Sequence, residues 1–267
     1  MRLGVITDIH IAPDYARPIS WHSPLLLDTA GDRYSEAMRL LGEQSVDAIV
    51  VLGDLTHLGD APSCDELVRL SDATPAPMLW VLGNHDVVPS TTAIAEALER
   101  RGPDARARLA GAAAHPVAGL PVYGVGIEPG EGTEVYVARE IPAPGETSIV
   151  LTHFPVLSRS DEFAELGVRY AGDLANRTEV EEALAGHPTL VLSGHLHTRG
   201  AVIAGHTLQV SFGALVEEPF DVAVLDVDEA LTSVDLEFIK GSGPWPIVDL
   251  PKRVRFVRHA DGWEREA

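Results

Sequence analysis

The feature that most limits how this chain can fold is a repeated one. A short β-branched or Leu-rich run stops abruptly in a cluster of Asp, Asn, His and Gly, and a helical stretch follows. Strands are expected over residues 3–7, 48–52, 78–82, 122–127, 148–151, 189–192, 207–212, 221–227 and 233–239. Helices are expected over 33–43, where Tyr34, Met38 and Leu41 share a stripe, and over 63–70, 91–101 and 178–184. Capping boxes, Ser63-x-x-Glu66 and Thr178-x-x-Glu181, open two of them. The first half therefore reads βαβαβα, while the strands from Thr207 onward, separated by short turns, read as antiparallel hairpins. The fold class is α/β, built on two sheets or one mixed sheet. Pro and Gly gather at 11–24, 128–145 and 241–251, which read as loops rather than linkers. One domain is expected over 1–240, with an arm over 241–267 packed on it. That arm carries Val254, Phe256, Val257 and Trp263, and an extra strand, a cover over the crevice and a subunit contact all stay open.

Length and charge narrow the chemistry. At 267 residues the chain can bury roughly three quarters of its unfolded surface, so a bound metal would serve function rather than hold the fold. Cys64 is the only cysteine, which excludes an internal disulfide and a thiolate cluster and leaves His, Asp, Asn and Glu as ligands. With 20 Lys and Arg against 40 Asp and Glu, the formal charge of −20 disfavours an extended nucleic-acid surface. The longest apolar runs fall far short of the ~20 residues that cross a membrane, and the first apolar stretch is too short for a signal-peptide core. A cytoplasmic protein is expected, and monomer and homodimer both remain open.

The residues that end the strands carry the argument. Asp8-Ile9-His10, Gly53-Asp54, Gly83-Asn84-His85-Asp86, Thr152-His153 and Gly194-His195-Leu196-His197 each follow an apolar run. In βα-built sheets the carboxyl ends of strands converge on one crevice. Side chains two apart on extended backbone point the same way, so Asp8 with His10, and His195 with His197, can each face one side. Hard oxygens mixed with imidazole suit Mn, Fe, Zn or Ni better than Ca or Mg. Asp8, His10, Asp54, Asn84, His153, His195 and His197 exceed what one ion needs, and fit two ions sharing a carboxylate. Gly53, Gly83 and Gly194 each precede a ligand, letting backbone approach the ions.

In this order the motifs resemble those of the calcineurin-like metallophosphoesterases, bacterial phosphodiesterase-like members in particular, across residues 8–197. The resemblance implies a four-layer αββα sandwich of two mixed β-sheets flanked by helices, with a dinuclear site between the sheet ends. It places Asp8, His10, Asp54 and His197 on a first metal. Asp54, Asn84, His153 and His195 fall on a second, with Asp54 bridging, and His85 becomes an unligated catalytic histidine. It further implies two divalent or trivalent transition-metal ions and metal-activated hydroxide attack on phosphorus. The acidic surface and the Leu55-Thr56 neighbourhood favour a small phosphodiester, cyclic nucleotide or nucleotide-derived. A small phosphomonoester is the nearest rival, and a non-catalytic protein-binding scaffold on the same fold is the alternative of another class.

One position departs from the pattern: His57 stands where many relatives carry an Asp three residues after the bridging one. A neutral imidazole brings no negative charge to raise the pKa of His85. Leu58 and Asp86 argue against a phosphoprotein phosphatase. Bland readings compete with all of this. A lone strand-end His is usually a hydrogen-bonded turn residue, but capping does not explain His153, His195 and His197 together. His22, in the loop after Asp8-x-His10, is a candidate to face substrate, whereas His115, His187, His206 and His259 read as surface residues and Cys64 as a packed thiol. Gly124-x-Gly126 lacks the third glycine of a dinucleotide fingerprint, and no Gly-x-Ser-x-Gly elbow occurs.

Overall fold

The computed structural model describes residues 1–13, 25–132, 134–167, 170, 172–218, 220–241 and 250–266. The chain begins with β1 (Arg2–Ile6), α1 (Ala30–Gly42), β2 (Ala48–Leu52), α2 (Ala61–Ser71), β3 (Met78–Val81), α3 (Ala93–Arg101) and the short β4 (Ala107–Leu109). Strands β1 to β4 are parallel neighbours in sequence order, as short βα units produce. The chain then leaves for a second sheet through β5 (His115–Val117) and β6 (Leu120–Gly124). A detached ribbon follows, β7 (Gly126–Pro129) paired antiparallel with β8 (Tyr136–Glu140). The second sheet resumes with β9 (Ser148–Thr152), α4 (Ser160–Glu165), α5 (Arg177–Leu184), β10 (Thr189–Ser193), β11 (Gly200–Ala204) and β12 (Thr207–Ser211). Finally β13 (Val222–Val227), β14 (Ser233–Lys240), β15 (Arg253–His259) and β16 (Gly262–Arg265) return to the first sheet as an antiparallel meander.

The result is an eight-stranded sheet, ordered β16-β15-β14-β13-β1-β2-β3-β4, and a six-stranded one, ordered β11-β12-β10-β9-β6-β5. Both are mixed. The apolar runs are continuous because each central strand is buried on both faces. On β2, Ala48, Val50 and Leu52 point into the core between the sheets, while Ile49 and Val51 pack under the helices. On β10, Leu190 and Leu192 face the intersheet core and Val191 faces α5 through Val180 and Leu184. Helices α1, α2 and α3 cover the outer face of the first sheet with Tyr34, Met38, Leu41, Leu67 and Ile94. These contacts make the four layers: helices, sheet, sheet, helix.

Three expectations need correction. The run 122–127 is not one strand: it breaks at Val125, and its two halves enter different sheets. The strand at Thr207 makes no hairpin with the next one; β12 lies parallel to β10 and antiparallel to β11, and the antiparallel meander starts only at β13. Neither expected capping box forms. Helix α2 starts two residues earlier, capped by Asp60, whose carboxylate accepts from the Ser63 N–H at 2.9 Å, and α5 starts at Arg177 without a side-chain cap. The strands at β4, β5, β8, β15 and β16 carried too few apolar residues to be read locally, and β11, though apolar throughout, is flanked by glycine and half exposed.

Candidate metal centre

The five motifs sit just past the carboxyl ends of β1, β2, β3, β9 and β10, three strands of one sheet and two of the other. They meet there. Asp8, His10 and His197 form one group whose donor atoms lie within 4.8 Å of one another, and Asp8, Asp54 and His153 form a second. Around His153 Nε2 gather Asn84 Oδ1 at 3.0 Å, His195 Nδ1 at 3.2 Å and Asp54 Oδ1 at 3.4 Å. All seven expected ligands thus fall in one cluster. His10, His57 and His85 make a third close group at its edge.

How the pairs converge differs from the expectation of extended backbone. Asp8, His10, Asp54, His195 and His197 all have positive φ, between 46° and 67°. Each of these five sits on a left-handed turn, a conformation that costs on the order of 1–3 kcal/mol in a non-glycine residue and persists only where its surroundings impose it. All three glycines make room for side chains of the cluster rather than for ions, and a Cβ on Gly53 would overlap the His153 ring. A Cβ on Gly83 would overlap the Asp54 carboxylate, and one on Gly194 would overlap Thr7 Oγ1 and Asp8 Oδ2.

Partners outside the cluster fix which nitrogen of each ring faces inward. His153 Nδ1 donates to the Leu52 carbonyl at 2.8 Å, leaving Nε2 to face the cluster. His197 Nδ1 meets Glu217 Oε2 at 2.7 Å and turns Nε2 toward Asp8 Oδ1 at 3.1 Å. Thr7 Oγ1 donates to Asp8 Oδ2 at 2.6 Å. Asp86 accepts from the backbone of Leu55, Thr56 and Gly83 and from the Thr56 hydroxyl, tying the β2 and β3 loops together. Buried Arg159 donates to the carbonyls of Thr198 and Arg199, and buried Arg199 pairs with Asp221, so the His197 loop is braced from both sides. Thr7, Glu217, Arg159, Arg199 and Asp221 escaped the sequence analysis because no spacing marks them.

Electrostatics divides the histidines. Burial alone disfavours charge everywhere in the cluster, and it takes His10 down to about 3 and His195 to about 4. Against the same burial, Asp54 carries His153 up to about 9 and Asp8 carries His197 up to about 10. Asp8 is correspondingly held at about 2 despite burial, and Asp54 well below the ordinary carboxylate range. Burial and the Asp54 charge push Asp86 up to about 6. His10 Nε2 is buried without a hydrogen-bond partner, 3.6 Å from Asp54 Oδ2. An orphaned imidazole nitrogen among carboxylates, amide oxygen and further imidazoles fits a transition-metal cation, whose charge would replace that of the two protonated histidines.

His85 lies beside this cluster. Its Nδ1 donates to the carbonyl oxygen of His57 at 2.8 Å, its backbone N–H donates to Asp54 Oδ1 at 3.0 Å, and the His57 ring stacks on it at 5.0 Å. His57 therefore orients His85 through its main chain, a contact no side-chain identity announces. Its ring also approaches His10, Nδ1 to Nδ1 at 3.4 Å. His22 lies outside the described residues. Cys64 is buried in α2, and burial pushes its thiol up to about 12, which makes it a packing residue. Among the described residues no helix is long and apolar enough to cross a membrane.

A family model described as calcineurin-like phosphoesterase matches residues 1–199. Three solved structures show the same architecture. A dimetal phosphatase from Danio rerio is 14% identical, with a TM-score of 0.62 over 90% of this chain and 96% of that one. The protein TT1561 of Thermus thermophilus is 15% identical, with a TM-score of 0.55 over 90% and 99%. A purple acid phosphatase from yellow lupin (Lupinus luteus) seeds is 12% identical, with a TM-score of 0.56 over 97% of this chain and 54% of that one. At such identities the likeness is one of fold. No curated protein matches the sequence.

Proposed function

Because the chain belongs to the calcineurin-like phosphoesterase family, we propose that it hydrolyses small phosphodiesters, cyclic nucleotide or nucleotide-derived, at a two-ion site. Family and donor groups together support a metal-dependent phosphoester hydrolase; the ion count and the ester class are our reading. The observation that carries it is the posture of Asp54. Its Oδ2 faces His10 Nε2 at 3.6 Å while its Oδ1 faces His153 Nε2 at 3.4 Å, so one carboxylate stands between two donor sets. Asp8, His10 and His197 would complete one set, and Asn84, His153 and His195 the other. When bound, such ions supply Lewis acidity, which activates water and neutralises charge on the phosphoryl oxygens.

The protein's own contribution follows from hydrogen bonding. Since a carbonyl only accepts, His85 keeps its proton on Nδ1, and its Nε2 is the atom free to exchange a proton on the cleft side. Protonated there, His85 donates to the phosphoryl or departing oxygen. The neighbouring cleft, about 750 Å³, is lined among the described residues by no Lys or Arg. That lining favours a singly charged diester over a monoester dianion.

His85→Ala should keep its metal and lose ~10²–10⁴-fold in turnover, whereas Asp54→Asn should lose metal as well, both read by elemental analysis beside activity. A His85→Ala enzyme as active as its parent on an ester with a poor leaving group would overturn the assignment. Cyclic AMP, bis-p-nitrophenyl phosphate and p-nitrophenyl phosphate, assayed with added Mn²⁺, separate the ester classes. Higher kcat/KM on the monoester would favour the phosphomonoesterase reading.

A further inference from the structure

The cleft beside His85 has two unlike sides. His85, His195 and Asn84 form its polar floor, and Leu58, Val88 and Tyr136 form a flank that has no part in holding metal. Leu58 and Val88 are 48% and 47% exposed, two of the most exposed large apolar side chains among the described residues. Both occupy loops that carry site residues, Leu58 four residues after Asp54 and Val88 three after His85. The loops are packed together: a Cβ on Gly59 would strike the carbonyl oxygens of Val88 and His85. Tyr136 reaches the cleft from the β7–β8 ribbon, its ring 5.5 Å from that of Phe154, which in turn lies 4.0 Å from His195. Glu134 lines the same cleft. Leaving two aliphatic side chains in water beside a charged centre costs solvation that a ligand's apolar surface would recover.

We infer that Leu58, Val88 and Tyr136 form a specificity subsite for a planar, apolar substituent of the phosphoester, such as the face of a nucleobase. The inference rests on the phosphodiesterase reading above and adds the chemistry of the group the enzyme selects. Glu134 in the cleft lining repels a further phosphate and accepts from an N–H on the edge of the plane. Substituents that are polar and non-planar gain nothing from this flank.

The test compares two phosphodiesters, thymidine 5′-(p-nitrophenyl) phosphate and glycerophosphoethanolamine, on the metal-loaded parent and on Leu58→Asp/Val88→Asp. The ratio of kcat/KM for the nucleoside ester to that for the glycerol ester should fall at least ~10-fold in the variant, through KM of the nucleoside ester. Leu58→Met/Val88→Ile should retain the ratio. Equal losses on both esters, or an unchanged ratio, would overturn the subsite while leaving the phosphodiesterase reading in place. If the parent cleaves neither these esters nor cyclic AMP nor bis-p-nitrophenyl phosphate, that reading fails, and with both esters inert titration with thymidine 5′-monophosphate and with inorganic phosphate still decides the subsite. Tighter nucleotide binding that the Asp variant loses supports it, and equal binding of both overturns it.

Discussion

At the scale of the residue, the cluster is held by groups that touch no substrate. His197 illustrates the principle, since Glu217 accepts a hydrogen bond from Nδ1–H and thereby aims Nε2 at Asp8. Glu217→Gln keeps the shape but gives up the charge, so metal affinity should weaken ~10–100-fold with the fold intact, measurable by calorimetric titration beside circular dichroism. Unaltered affinity would show that Glu217 is packing alone. The left-handed backbone at five of the seven candidate ligands belongs to the same account. Strain at these turns is sustained by hydrogen bonds such as Asp8 N–H to the Gly53 carbonyl and His10 N–H to the Asp54 carbonyl, 3.0 and 2.9 Å, which lock the β1 loop to the β2 loop.

At the scale of the element, local chemistry decides where helices begin and long-range packing decides which strands survive. Asp60 caps α2 through its side chain, while Ser63 takes part only through its backbone N–H. Asp60→Ala should therefore cost ~1 kcal/mol in urea unfolding and Ser63→Ala markedly less; the reverse order would restore the capping box the sequence proposes. Strands β15 and β16 show the opposite case. Little in residues 253–265 reads as a buried strand, yet Phe256 is fully buried, Trp263 nearly so, and the Trp263 indole N–H donates to the His206 carbonyl at 3.0 Å. Losing two such aromatics, at ~3–5 kcal/mol each, rivals the ~5–15 kcal/mol of a typical domain. A chain ending at Gly241 should fail to unfold cooperatively in denaturant; a sharp transition near the parent's midpoint would make the hairpin an accessory.

At the scale of the whole molecule, the candidate ligands come from both sheets, so a bound cation would tie the two halves of the sandwich together. Loading the metal-free protein should raise its Tm, with ~2.7 kcal/mol of stabilisation at a hundredfold excess over Kd, and chelation should reverse the shift. No change in scanning calorimetry would mean that the groups do not hold the ion together. By itself the sequence determined the α/β class, the five strand ends and the seven candidate ligands, because two-sided burial writes continuous apolar runs and abrupt polar stops into the local pattern. Only the tertiary structure decided which strands enter which sheet, the return of the chain through β13 and the break at Val125. It alone supplied the His57 carbonyl behind His85, the Glu217 carboxylate behind His197 and the apolar flank of the cleft. These depend on hydrogen bonds and contacts between residues far apart in the chain, and a backbone carbonyl or a side chain that gains its role from a distant neighbour leaves no periodic trace in its own segment.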